Sequence, residues 1–64
     1  MSSKLKMFVN NPELWGAFLG ELDERIKDKH KRLEQTVEPY DIYRTQGELH
    51  ALHALKRLRD KVNG

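Results

Sequence analysis

The sequence predicts an all-α protein, with an antiparallel two-helix hairpin over about residues 12–37 and 39–62 behind a short N-terminal arm. Three observations lead to this prediction. An apolar seam at helical spacing follows a helix-start signal at residue 11. A proline at residue 39 separates this seam from a second, leucine-rich stretch. The connection is so short that the second helix must run back along the first.

Length and composition narrow the class of protein. A chain of 64 residues forms one domain at most, of a size at which a self-contained hydrophobic core is marginal. Hydrophobic residues are 38% of the chain and charged residues 34%, and no apolar run is long enough for a membrane span. We therefore expect no membrane association. The lack of cysteine suits a reducing compartment.

The N-terminal arm comprises residues 1–11, and residues 12–64 form the hairpin domain. Leu5, Met7, Phe8 and Val9 give the arm enough apolar surface to dock on the hairpin. We expect the arm to be too short to form an independent element.

The first helix is predicted to begin at Pro12. Asn11 can cap the free amides, Pro12 fits the first helical position, and Glu13 lies near the positive end of the helix dipole. The residue before a proline avoids the helical region, so the helix should end near residues 36–38. Its apolar side chains fall within a stripe of roughly 120°: Trp15, Phe18, Leu19, Leu22, Ile26, Leu33 and Val37.

The second helix carries apolar side chains on two sides. Ile42, Leu49 and Leu52 are expected to face the first helix. The opposite side mixes small and large apolar residues, and a two-helix hairpin has nothing to cover it. The two sides could be exchanged, but one of them lacks a cover in either case. The expected partner interface consists of Gly47, Ala51, Ala54, Leu55, Leu58 and Val62.

Such a face requires another helix for its burial. A second copy of the chain could supply it in a bundle closed by a twofold axis, and so could a larger protein assembly. We therefore expect a homo-oligomer or a docked component.

Tyr40 and Tyr43 lie one helical turn apart beside the connection. They could present an aromatic binding spot. Packing into the core against Leu33 and Val37 is the commoner arrangement and is the one we expect.

Two basic clusters could neutralise phosphate groups. Antiparallel folding brings the second cluster level with acidic residues 21–24, so we prefer charge complementarity between the helices. The formal net charge of +2 does not by itself require a polyanionic partner. Nucleic-acid contact therefore stays an alternative for these residues: Lys27, Lys29, Lys31, Arg32, Lys56, Arg57 and Arg59.

No motif in the chain indicates catalysis. There is no phosphate-binding glycine loop and no nucleophile motif, and two helices offer little concavity for a preorganised site. We expect no enzymatic activity and no cofactor. His30, His50 and His53 could lie at one level of the hairpin, but zinc requires further ligands, so solvated histidines are the preferred interpretation.

The motif Tyr-Arg-x-Gln-Gly-Glu at residues 43–48, followed by a leucine-rich helix, resembles a pattern in small, mostly uncharacterised proteins of tailed bacteriophages. An upstream Trp-x-x-Phe-Leu-x-x-Leu segment at residues 15–22 belongs to the same pattern, and the resemblance spans roughly residues 12–62. It implies a phage origin and a gene position near the head or connector assembly genes, and we expect a location in the bacterial host cytoplasm or in the virion. It implies no catalytic residue.

These observations together predict a non-enzymatic protein that acts through helix–helix contacts, as a minor virion or assembly component of a bacteriophage. One alternative is a small basic nucleic-acid-binding protein. Another is a phage-encoded inhibitor that lays its apolar helix into a groove on a host protein.

Overall fold

The computed structural model describes residues 3–64 and places nearly all of them in helices. In chain order these are α1 (Ser3–Asn10), α2 (Pro12–Gln35), α3 (Pro39–Lys56) and α4 (Leu58–Asn63). No strand occurs within this range, so the all-α prediction is confirmed. Two features differ from expectation: the arm forms a helix, and the second predicted helix is divided at Arg57.

The arm forms α1 because its apolar residues recur at helical spacing and have a surface to pack on. Leu5, Phe8 and Val9 contact the core, and only 1% of Val9 is exposed. Tertiary packing of this kind supports helices too short to be stable alone. The arm therefore docks on the rest of the chain, as its apolar residues indicate, and it does so as a dependent helix that was not predicted from the sequence. The helix ends where Asn11, before a proline, has an extended backbone with φ −85° and ψ 112°.

The ends of α2 and the start of α3 follow from local capping. The Leu14 amide donates to the Asn11 side-chain oxygen at 3.0 Å, as the sequence predicts. At the other end, Thr36 has an extended backbone and stops α2. Beyond the connection, Glu38 caps α3 by accepting a hydrogen bond from the Asp41 amide at 2.8 Å. This second cap was not anticipated from the sequence.

The two long helices pack along each other. Lys56 Nζ lies 2.8 Å from Asp23 Oδ1, and Lys29 forms an ion pair with Glu48 farther along α2. Residue numbers rise along α2 as they fall along α3, so the helices run in opposite directions. Apart from Trp15, their buried residues are Leu22 and Ile26 on α2 and Thr45 and Leu49 on α3.

A tight turn at Arg57 redirects the end of the chain. The Arg57 amide donates to the carbonyl oxygen of Ala54, three residues back, at 3.1 Å. The following helix, α4, packs against α1. The side-chain amides of Asn10 and Asn63 exchange two hydrogen bonds, at 2.9 and 2.7 Å, and join the ends of these helices.

The main apolar core lies where α1, α2 and α4 meet. Val9, Trp15 and Val62 are its buried members, and Trp15 has edge-to-face or tilted contacts with Phe8 and Phe18 at ring-centroid distances of 5.9 and 5.4 Å. Aromatic pairs at such distances add to the stability gained from burial. The partly buried residues around this core are Leu5, Phe8, Phe18, Leu19 and Leu58.

Thr45 has a buried hydroxyl group without a hydrogen-bond partner. The residue is fully buried between α2 and α3, and its Oγ1 atom is unpaired. An unsatisfied buried polar group costs about 1–3 kcal/mol. We therefore expect Thr45→Val, which keeps the side-chain shape and removes the hydroxyl, to raise the free energy of unfolding by about 1 kcal/mol.

Urea denaturation followed by circular dichroism measures this effect. Thr45→Ser is the matched control, because it keeps the hydroxyl group and loses a methyl group, and it should lower stability by about 1 kcal/mol. A loss of stability in Thr45→Val would show that the hydroxyl group has a partner in solution.

Candidate functional site

Five residues of α3 form a continuous exposed face on the side away from α2. They recur at spacings of three, four, four and three, and at about 100° per residue they fall within a stripe of about 80°. We name this surface the outer face: Tyr40, Tyr43, Gly47, Ala51 and Ala54. The tyrosines are 69% and 73% exposed. Leu55, 41% exposed, lies along one edge of the stripe.

The structure separates the six residues of the predicted partner interface into two groups. Gly47, Ala51, Ala54 and Leu55 are exposed on α3, as a partner interface requires. Val62 is only 7% exposed and packs against α1, as does the partly buried Leu58. Placing these last two on the partner face was wrong, because the turn at Arg57 moves them toward the N-terminal helix.

The tyrosines do not lie where core packing would place them. Ile42 occupies the seam toward α2, so Tyr40 and Tyr43, two residues before it and one after, point elsewhere on α3. Val37, the expected packing neighbour, is itself 92% exposed. The expectation of tyrosine packing against Leu33 and Val37 is corrected. The sequence signal for their exposure is the spacing of three and four residues that places Tyr40 and Tyr43 on the same side of the helix as Gly47.

Gly47 lies in the middle of the outer face and borders open space. A Cβ atom at this position would meet nothing within 4 Å. Glycine in a helix interior costs about 1 kcal/mol relative to alanine. No close contact within the protein explains this residue.

A groove runs between α2 and α3 beside the outer face. Its volume is about 280 Å³, and its walls are Arg25, Lys29, Glu48, Ala51, Leu52 and Leu55. The charged walls are already paired: Arg25 with Glu21 at 3.1 Å, and Lys29 with Glu48. The groove therefore adds apolar surface next to Leu55 rather than a free charge.

Glu48 connects this groove to the edge of the outer face. A hydrogen bond from Lys29 holds the pKa of Glu48 below its ordinary value of 4.5, and the charges of Arg44 and Arg32 lower it further. Arg44 Nε lies 3.9 Å from the Glu48 carboxylate, and its guanidinium group also approaches Asp41 at 3.5 Å.

The lowered pKa predicts a pH dependence of stability. A carboxyl group with a lower pKa in the folded state stabilises the protein above its unfolded pKa, and this contribution is lost as the pH falls through the folded value. We expect the free energy of unfolding to decrease below about pH 4.5, and Glu48→Gln to weaken that decrease. Urea titrations between pH 7 and pH 3 measure it. Glu24→Gln on α2 is the control, and an equal change in both variants would contradict the role of Glu48.

The basic residues do not form one surface. Lys29 and Lys56 are engaged in ion pairs with Glu48 and Asp23, the latter a contact that charge complementarity between the helices predicts. The other five candidate nucleic-acid contacts are exposed and divided among α2, the turn at Arg57 and α4: Lys27, Lys31, Arg32, Arg57 and Arg59.

The predicted histidines are also exposed, at His30, His50 and His53. Within residues 3–64, no three histidine or acidic side chains come together in a group that could hold a metal ion. In the same part of the chain, every helix is too short or too polar to cross a membrane.

Comparisons with known proteins add no information about the function of this site. No protein-family model matches the chain, and no curated protein or solved structure shows significant similarity to it.

Proposed function

We propose that this protein is a non-enzymatic helical hairpin that acts through helix–helix contacts, as a homo-oligomer or as a component of a larger assembly. One observation carries the proposal: the outer face of α3 exposes two tyrosines and a strip of small residues while the other side of α3 is already packed on α2. The motif at residues 43–48 supports an assembly of bacteriophage origin, acting in the host cytoplasm or in the virion.

The exposed surface of α3 is large enough to form a substantial part of a protein–protein interface. A tyrosine can bury about 150–250 Å² on association, so Tyr40 and Tyr43 with Leu55 can remove several hundred Å² per molecule from water. A standard specific interface buries about 800 Å² per partner. The outer face supplies a large share of that area, and the groove beside Leu55 extends it.

The association surface is confined to one part of the molecule. Val62 and Leu58 have their cover in α1, so they need no partner. The exposed apolar residues of α3 have no such cover within the described chain. A partner therefore has to approach α3 from the side opposite α2.

Replacing Leu55 with aspartate tests this assignment. A carboxylate at the edge of the outer face opposes burial of that edge, so we expect the native mass to fall and the helix content to persist. Leu14→Asp is the matched control, because Leu14 is 52% exposed but lies on α2. Light scattering after size-exclusion chromatography gives the mass of both variants. An assembly that Leu55→Asp leaves intact, or that Leu14→Asp alone disrupts, would place the interface elsewhere.

A further inference from the structure

The outer face of α3 is symmetric about Gly47. Tyr43 and Ala51 each lie four residues from Gly47, and Tyr40 and Ala54 each lie seven residues from it. When two antiparallel helices cross at one position, residues that precede it on one helix meet residues that follow it on the other. Crossing at Gly47 therefore pairs Tyr43 with Ala51 and Tyr40 with Ala54, twice each, and Gly47 with itself.

This pairing matches large side chains with small ones. Close packing requires each protruding side chain to meet a depression in the facing helix. A parallel pairing would instead oppose tyrosine to tyrosine and alanine to alanine, which crowds one end and leaves a gap at the other. The open space beside Gly47 lets the two helix axes come close at the crossing point.

We infer that the partner of the outer face is a second copy of this chain, with the two α3 helices crossing antiparallel at Gly47. The inference rests on the proposed function and specifies its partner. A twofold interface uses the same patch on both copies, so the patch must complement itself. A foreign helix would impose no such symmetry on the spacing of tyrosines and alanines.

Charges at the edge of the outer face fit the same arrangement. Arg44 lies three residues before Gly47 and Glu48 one residue after it. The antiparallel crossing therefore places Arg44 of one copy within about 3 Å, along the helix axis, of Glu48 of the other. The two Glu48 carboxylates come equally close to each other, but each is flanked by Lys29 and Arg44 of its own copy and by Arg44 of the other.

The lack of cysteine in the chain makes cross-linking a direct test. Gly47→Cys places one thiol on the twofold axis, next to its copy. Gly20→Cys on α2 is the matched control, because Gly20 also borders open space. With micromolar full-length protein under mild oxidation, we expect Gly47→Cys to form a disulfide-linked dimer about 100-fold faster than Gly20→Cys, since a dimer holds its thiols at an effective concentration near millimolar.

A second pair of variants tests the direction of the helices. Mixing Tyr43→Cys with Ala51→Cys should give a mixed disulfide, and neither variant alone should cross-link comparably. If each variant instead cross-links with itself, the helices are parallel and the inference is overturned.

The outcomes separate this inference from the proposed function. A stable oligomer in which Gly47→Cys reacts no faster than Gly20→Cys overturns the crossing at Gly47, while the loss of that oligomer in Leu55→Asp would still support association through α3. A monomer with no accelerated cross-linking overturns self-association, and the proposed function then survives only as docking on a different protein.

Discussion

Replacing Trp15 with alanine is expected to unfold the protein. Trp15 is only 4% exposed, shares the core with Val9 and Val62, and contacts the rings of two phenylalanines. Truncating a buried tryptophan to alanine costs about 3–5 kcal/mol. A single hydrophobic core of this size rarely supplies more than about 3–5 kcal/mol in total. Circular dichroism at 25 °C should show a large loss of helix.

Leu14→Ala is the matched control for this experiment. Leu14 is the neighbouring residue on α2, but 52% of it is exposed. Substitutions at exposed positions usually change stability by less than about 0.5 kcal/mol, so the control should stay folded. Similar unfolding midpoints for the two variants would contradict the placement of Trp15 at the centre of the core.

Val9→Asp is expected to detach α1 from the rest of the protein. Val9 is 1% exposed, and a carboxylate there would lose its hydration without gaining a partner. The packing of α2 on α3 does not include Val9, so those helices should retain part of their structure. Removing α1 exposes Trp15 and Val62, so we expect a red shift of Trp15 fluorescence and stronger binding of apolar dyes.

Met7→Asp controls for the added charge. Met7 lies on the same helix but is 71% exposed, so the same substitution should leave fluorescence and dye binding unchanged. If Val9→Asp also left them unchanged, α1 would not be the cover of Val62, and the end of the chain would need another partner.

Local signals account for the parts of the fold that the sequence predicted. Asn11, Pro12 and Pro39 act within one helical turn, through a cap or a fixed backbone angle, so they set helix boundaries wherever the rest of the chain lies. The alternation of Trp15, Leu22 and Ile26 likewise reports one buried side of α2. Such signals need no knowledge of the tertiary structure.

The unpredicted parts depend on contacts between distant residues. No proline or glycine marks the turn at Arg57, and a continuous helix through it places Val62 on the wrong side. The turn is explained only by the packing of α4 on α1. These two helices are far apart in sequence, because the hydrogen-bonded residues Asn10 and Asn63 are separated by 53 positions. The sequence likewise did not indicate that Thr45 is buried, because burial of a hydroxyl group is unfavourable unless the surrounding structure imposes it.

The sequence predicted the small residues of the candidate site but not its tyrosines. The small residues of α3 could be assigned to a partner face because helical spacing places them opposite Leu49. Tyr40 was assigned to the core because aromatic residues near a connection commonly pack inward. Only its exposure of 69% in the folded structure shows that it belongs to the same surface as Ala54.

Sedimentation equilibrium of the unmodified protein tests most directly whether α3 associates with a second copy of itself. Over a concentration series from micromolar to several hundred micromolar, we predict a mass close to twice 7.6 kDa. A folded, fully helical species that stays at 7.6 kDa across the whole series would contradict self-association through the outer face.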